Sequence, residues 1–477
     1  MAANWLIDSK AFRDCRIYAI RTRSGLGVRL GFLLRGYVLA ELIGAKFRFQ
    51  WPVKASDGIN SAEETFDRSF LLQYYDSGYK PRSSIRLKEE VTLSDLTNLM
   101  RHCRHGVSVS LKPGSSDGIT IKKSFTRKSL TFGEALEQVK FAPDIEALRH
   151  HVAAKYENFD LGIHVRRGDI KHGLARIGGW FCLKLIPLPL ILAIIERLPV
   201  NYRVLLVDNE NVCKEWPILK CRAISSTATE KLPFPENPKL RAFFDFFMSM
   251  RCRSVIAGTS NFAILAAEVS GSERLTWHDF IGDHLAKELI FRFISNGYES
   301  DPLEVALASV FALDSLRHYL MKEERDTLIS HANCADPENP AFALKIISES
   351  LRQFKFERAA EDLMRAVQYG ALKTTFACSK YWKIGHADIM FKNLVHPGGI
   401  LEEKDLIVLE THSGRVPFLD WFLLAADLAR QPENVDGRLA LAKKMTEGFN
   451  EAWFCNAYYE GLFERARSAT QSEMTPV

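Results

Sequence analysis

The feature that most constrains this chain is an alternation of short β-prone runs with helical runs, which occurs twice. In the first instance Arg16-Ile-Tyr-Ala-Ile20 reads as a strand, Ser24-Gly-Leu-Gly27 as a tight turn, and Leu30 to Leu42 as a helix stopped by Gly44. Lys46-Phe-Arg-Phe-Gln-Trp51 then alternates as a second strand and ends at Pro52. In the second instance strands are expected at Leu161 to Val165, Arg203 to Asp208 and Ser254 to Ala257. Helices are expected between and after them, at Pro187 to Leu198, Leu240 to Met250 and Phe262 to Val269. Strands that alternate with helices favour crossover connections, hence a mostly parallel sheet covered on both faces. The expected class is α/β, with two Rossmann-type domains facing each other across a cleft. Ligands in such sheets bind beyond the carboxyl ends of the strands, so the residues just after each strand are the ones to read for chemistry.

Length and charge narrow the function classes. At roughly 150 residues per domain, a chain of 477 residues with 47% hydrophobic content should make about three packed domains. The division expected is 1–150, 151–300 and a helical region at 301–477. Residues 53–130 are polar and turn-rich, and few elements can be placed there. A net charge of +5 gives no reason to expect nucleic-acid binding, but its distribution is uneven. Lys and Arg exceed Asp and Glu by eight in residues 1–150 and by three in 151–300, and fall short by six in 301–477. An anionic ligand in the first two thirds is therefore plausible.

The nine Cys residues are scattered without a CxxC pair, which is neither a disulfide framework nor a zinc site. The first residues carry charges and no sustained apolar stretch. The longest apolar run, Pro187 to Ile195, is far shorter than the roughly 20 residues that span a bilayer. A cytoplasmic protein without a transmembrane segment is expected. In the last third, Phe354 to Val367 places Ala359, Ala360 and Ala366 where two antiparallel helices could pack closely. This has the look of one tetratricopeptide-type hairpin, without a convincing second copy at the period of about 34 residues. The region could serve a protein partner or self-association.

The sharpest motif is His164-Val-Arg-Arg-Gly-Asp169, directly at the end of the strand Leu161 to Val165. Two adjacent guanidinium groups are costly to bury unpaired, and guanidinium is shaped to grip phosphate bidentately, so a diphosphate would satisfy Arg166 and Arg167. The plainer alternative is internal pairing of either arginine with Asp169 or a neighbouring carboxylate. Gly258-Thr-Ser-Asn261 sits between a strand and a helix, where free N–H groups attract anions, so Thr259, Ser260 and Asn261 are candidate phosphate contacts. Simple helix capping would use the same residue types. Asp208 ends a strand, and Asp245 lies among four phenylalanines. There it needs a donor, either a nucleobase edge or an arginine such as Arg241 or Arg251. The turn Gly25-Leu-Gly27 has its next glycine one residue late for GxGxxG and no acidic residue at the expected distance, so nicotinamide binding is disfavoured. P-loop, HExxH and DxD patterns are absent from the sequence.

Taken in order, Ser24 to Gly27, His164 to Asp169 and Asp245 to Asn261 resemble the fucosyltransferase superfamily. That group spans the α-1,2- and α-1,6-fucosyltransferases, the rhizobial nodulation enzymes and the protein O-fucosyltransferases. The similarity spans roughly residues 16–280 and leaves out the last third. It implies an inverting transfer of fucose from GDP-fucose, or of another sugar from its GDP donor, to a glycan or other hydroxyl acceptor. It further implies a GT-B-like pair of Rossmann-type domains with an all-α C-terminal region, and neither metal nor other cofactor. By the same resemblance the cleft is donor-side in 151–300 and acceptor-side in 1–150. Arg166 would bind the donor's β-phosphate and stabilise departing GDP, with Gly25, Gly27, His164, Arg167, Asp208, Asp245, Thr259, Ser260 and Asn261 also on the donor side. Val28 stands where relatives often carry Asn, and no Glu follows the arginine motif at the position of the α-1,6 enzymes' candidate base. Asp169 is then named for acceptor deprotonation ahead of His172, or else as a partner of the arginines. The competing expectation is a non-catalytic relative that works as an interaction scaffold through its helical third.

Overall fold

The computed structural model describes residues 16–20, 25–52, 60–78, 84–87, 90–91, 107–111, 120–121, 130–167, 171, 184–208, 223–225, 238–256, 258, 260–295, 301–370, 400–430 and 436–447. The chain forms two compact units, one from Met1–His164 with Leu198–Thr276, the other from Val165–Arg197 with Trp277–Val477.

The first unit opens with the expected β-α-β. Strand β1 (Arg16–Ile20) leads to helix α1 (Leu26–Ile43) and strand β2 (Lys46–Gln50). The two strands pair in parallel, Ile17 beside Phe47 and Ala19 beside Phe49. Gly44 ends α1 because only a residue at ease with φ 71° can turn the chain left-handed there, and its N–H closes onto the Ala40 and Glu41 carbonyls. Leu30, Leu34, Leu39 and Ala40 are all fully buried, so α1 is a central helix rather than a surface one. Each buried leucine contributes about 1.5–3 kcal/mol.

Short helices α2 (Ala62–Thr65) and α3 (Arg68–Tyr74) follow, each with a side-chain cap, from Ser61 and Asp67. The stretch that resists reading in the sequence holds strands β3 (Ser84–Leu87), β4 (Glu90–Val91), β5 (Val107–Leu111) and β6 (Thr120–Ile121). The first sheet is parallel throughout, in the order β2-β1-β5-β3, while β4 and β6 make a separate parallel pair.

Helices α4 (Phe132–Gln138) and α5 (Pro143–Lys155) lead to strand β7 (Phe159–Val165). Helix α6 (Leu188–Arg197), strands β8 (Val204–Asp208) and β9 (Ala223–Ser225), helix α7 (Pro238–Ser249), strand β10 (Cys252–Ile256), helix α8 (Asn261–Ser270) and strand β11 (Glu273–Leu275) complete the pattern. Every strand and helix expected from Leu161 to Val269 is present, with ends shifted by a residue or two. The second sheet has the order β11-β10-β7-β8-β9.

One core serves both sheets. Ring contacts run from Phe49 to Phe66 at 5.1 Å, from Phe66 to Phe141 at 6.1 Å, and from Phe141 on α5's approach to Phe243 on α7 at 5.6 Å. Such pairs add about 0.5–1.5 kcal/mol beyond the area they bury.

Among the described residues the second unit is mostly helical. After α6 it contains α9 (Asp283–Ser295), α10 (Pro302–Ser315), α11 (Lys322–Ala335), α12 (Pro340–Arg352), α13 (Phe356–Gln368), α14 (Glu403–Thr411), α15 (Leu419–Arg430) and α16 (Asp436–Met445). Successive helices pack as neighbours, α10 with α11, α12 with α13, and α15 with α16. The hairpin expected around residues 354–367 is α12 with α13, and Ala359 and Ala366 are buried in it as their size allows. No helix among the described residues is long and apolar enough to cross a membrane.

Candidate functional site

In both sheets the chain builds outward from one strand and then returns to that strand's other side. In the second sheet β7 is followed outward by β8 and β9, and the chain then comes back to place β10 on β7's other edge. Parallel strands whose connections leave in opposite directions open a crevice beyond their carboxyl ends. His164 lies at that end of β7, one residue after Ile163, which pairs with Ile256 of β10. The first sheet has the same switch between β1 and β5, and α1 starts at Leu26, within the glycine stretch expected as a turn and four residues before the expected Leu30, with Gly25 as its N-cap and Gly27 in its first turn.

Two helix starts meet there. A Cβ on Gly27 would lie 2.4 Å from Phe262 Cα and 2.9 Å from its amide nitrogen, so only glycine lets α1 approach α8 so closely. Further along, a Cβ on Gly31 would meet Leu265 at 3.6 Å, and Arg35 bridges to Glu268 at 3.5 Å. Contacts that advance in step from each N-terminus mean that α1 and α8 run parallel, with their positive dipole ends side by side. Neither end is neutralised by its own side chains. Gly25 caps α1 without a side chain, Ser260 caps α8 without a side-chain hydrogen bond, and neither first turn holds an acidic residue.

Ser260 is 1% exposed, and its Oγ has no hydrogen-bond partner among the described residues. A buried unpaired hydroxyl costs about 1–3 kcal/mol. Two adjacent uncapped helix starts with a buried idle hydroxyl form an arrangement that an anion would complete. Gly258, at φ 52°, turns the chain into this cap.

Phe262 is the hub of the cluster. Its ring stacks on His164 at 5.7 Å and 27°, and meets Phe246 edge-on at 5.7 Å and 73°. Residue type alone gave it no role beyond starting a helix. The neighbour of Phe246, Asp245, is buried, and its carboxylate accepts from Arg241 at 3.1 Å. The pairing with Arg241 weighed for this acid is thus formed, while Arg251 donates to the Tyr156 carbonyl at 3.0 and 3.2 Å.

The other expected site residues fall in different places. Asn261 is the exposed first residue of α8, and Gly25 is exposed at the start of α1. Arg166 is half-buried just after β7. Arg167, in the second unit, is fully buried, and its Nε donates to Glu304 at 2.7 Å. Asp208 closes β8, and its side chain is outside the described set. Thr259, Asp169 and His172 lie outside the described residues. At the opposite end of β10 from the crevice, burial pushes the Cys252 thiol up to about 12, which removes it from nucleophilic chemistry at neutral pH.

No protein-family model matches the chain, and no curated protein does. Among solved structures, NodZ α-1,6-fucosyltransferase soaked with GDP-fucose is similar at 12% identity over 54% of this chain and 92% of that one, with a TM-score of 0.32. A variant of Arabidopsis thaliana FUT1 in complex with GDP is similar at 13% identity over 55% of this chain and 69% of that one, TM-score 0.33. POFUT1 in complex with GDP-fucose is similar at 10% identity over 55% of this chain and 98% of its own, TM-score 0.32. Likeness at this level carries no argument about function, which rests on the residues themselves.

Proposed function

We propose that this protein is a GDP-sugar glycosyltransferase that moves fucose from GDP-fucose to a hydroxyl acceptor with inversion. The observation that carries the reading is the parallel pair of uncapped helix starts, α1 and α8, with the buried Ser260 hydroxyl between a strand end and a helix. A diphosphate supplies the negative charge that these dipoles lack and an acceptor for the hydroxyl. The motif His164 to Asp169 supplies the remaining chemistry from a neighbouring strand end.

In this reading Ser260 and the first amides of α8 hold the diphosphate, with Thr259 and Asn261 beside them. Arg166, rather than Arg167, meets the β-phosphate, because Arg167 is spent on Glu304. His164 and Asp245 flank the nucleotide, with Gly25, Gly27 and Asp208 at the remaining edges. The acceptor oxygen attacks the anomeric carbon from the face opposite GDP. The new C–O bond forms as the bond to the β-phosphate oxygen breaks, and the electron pair leaves with GDP. Charge that grows on the departing phosphate is stabilised by Arg166 and the helix dipoles, a type of contribution that mutagenesis elsewhere puts at about 2.7–4 kcal/mol for one donor. Asp169 is the acid assigned to accept the acceptor's proton. The domains follow the same reading, with a GT-B-like donor half at 151–300, an acceptor half at 1–150 and a helical region at 301–477.

Calorimetric titration with GDP, GDP-fucose and NAD tests this. The native protein should bind GDP and GDP-fucose but not NAD. Arg166→Ala should weaken GDP by roughly 10-fold or more, the worth of a hydrogen bond to a charged group. A native protein that binds no nucleotide would sink the enzyme reading in favour of the interaction scaffold.

A further inference from the structure

The second arginine of the motif is held in a way that its sequence neighbours do not foretell. Arg167 has no exposed surface, and Glu304 on the first turn of α10 is 2% exposed. Besides its bond to Glu304, the Arg167 guanidinium donates to the Ile186 carbonyl at 3.3 Å and to the carbonyl of Arg166 itself at 3.3 Å. Lys171 is also buried. Its Nζ meets the same Glu304 oxygen at 3.4 Å and Asp301 at 2.8 Å, and its backbone N–H donates to the Arg167 carbonyl at 3.1 Å. One carboxylate therefore gathers a cation from each end of the stretch from Arg167 to Lys171. Through Arg167 it also clamps the backbone at Arg166. Asp301 in turn caps α10 by accepting from the Leu303 amide at 2.9 Å.

We propose that Glu304 is the positioning residue for Arg166, so that the helical C-terminal region sets the conformation of the arginine motif and is not an independent appendage. A fully buried guanidinium must have a charged or strongly polar partner, and the one it has is 137 positions away in a different part of the chain. Arg166 thereby presents its side chain from a backbone fixed on its C-terminal side. The inference rests on the reading that Arg166 meets the donor's phosphate only for its effect on affinity. The positioning itself does not depend on any ligand.

The test uses the full-length protein and Glu304→Gln, which keeps the side chain's shape and an acceptor for Arg167 but removes the charge that two cations share. Hydrogen–deuterium exchange of the amides of Arg166, Arg167 and Lys171 should speed up by at least tenfold in Glu304→Gln, while α12 and α13 exchange as before. GDP affinity should fall at least fivefold. Asp405→Asn is the control for plain instability, since Asp405 is a buried carboxylate of α14 that binds Lys345 and Ser348 at 2.9 Å. It should lower the melting temperature as much as Glu304→Gln does and leave GDP affinity unchanged. Unchanged exchange at Arg166 to Lys171 overturns the proposal whatever happens to GDP. Faster exchange with undiminished GDP affinity overturns the link to Arg166. A native protein that binds no GDP refutes the proposed function instead, and the exchange result then decides the positioning by itself.

Discussion

The contact between Gly27 and Phe262 gives a prediction with an unusual sign pattern. Gly27→Ala would put a Cβ at 2.4 Å from a backbone Cα that cannot swing aside, where ordinary contacts lie at 3.4–4 Å. One helix must move by the difference, an ångström or more. Overpacking of this kind costs about 1–3 kcal/mol. Gly31→Ala, one turn further along α1, would meet only the end of Leu265 at 3.6 Å, an ordinary distance. There the gain from removing a mid-helix glycine, about 0.5–1 kcal/mol, should dominate and stabilise the protein. Native-state hydrogen exchange of α8 amides reads the local opening free energy without assuming that both units unfold together. Gly27→Ala should accelerate it by about 5- to 30-fold for a net loss of one to two kcal/mol. Gly31→Ala should slow it. Equal effects of the two substitutions, or a stabilising Gly27→Ala, would refute the close parallel approach of the two helix starts.

Ser260→Ala should separate stability from binding. The hydroxyl makes no cap bond and is buried unpaired, so its loss should leave the free protein as stable as before or slightly more so in urea titration. GDP should bind about 10- to 150-fold more weakly by calorimetry, the worth of a hydrogen bond to a charged group. The helical unit should fail in acid through Asp405. Burial pushes this carboxyl up, but the Glu402 amide, Lys345 and Ser348 together outweigh it and hold the group below its usual 3.8. A depressed carboxyl stabilises the fold above its unfolded value and loses that contribution as pH falls through its folded value. Circular dichroism melts should therefore be flat above pH 5 and fall steeply below about pH 4, and Asp405→Asn should flatten that acid limb.

Much of the fold is legible in the sequence where one residue pattern decides one element. Gly44 ends α1 as its backbone freedom demands, and the strands around His164, Val207 and Val255 are apolar runs long enough to be read alone. Strand β5 was not legible, although Val107-Ser-Val-Ser-Leu111 alternates, because its flanks are turn-rich and its place beside β1 comes from pairing across the chain. The site divides along the same line. The partnership of Asp245 with Arg241 is a local i,i+4 relation and was within reach. Phe262 as a hub and Glu304 as the partner of Arg167 are tertiary facts, set by which helices happen to meet. No local signal marks them.

The shared aromatic core and the Gly27 contact also bear on mechanics. Clefts between facing Rossmann-type halves usually work as hinged jaws that shut on their ligand. Here the two sheets belong to one compact unit, and a helix from one lies backbone to backbone against a helix from the other. Opening such a joint would expose Phe141, Phe243 and their neighbours together, so the shared core sets a high cost on any hinge between these sheets.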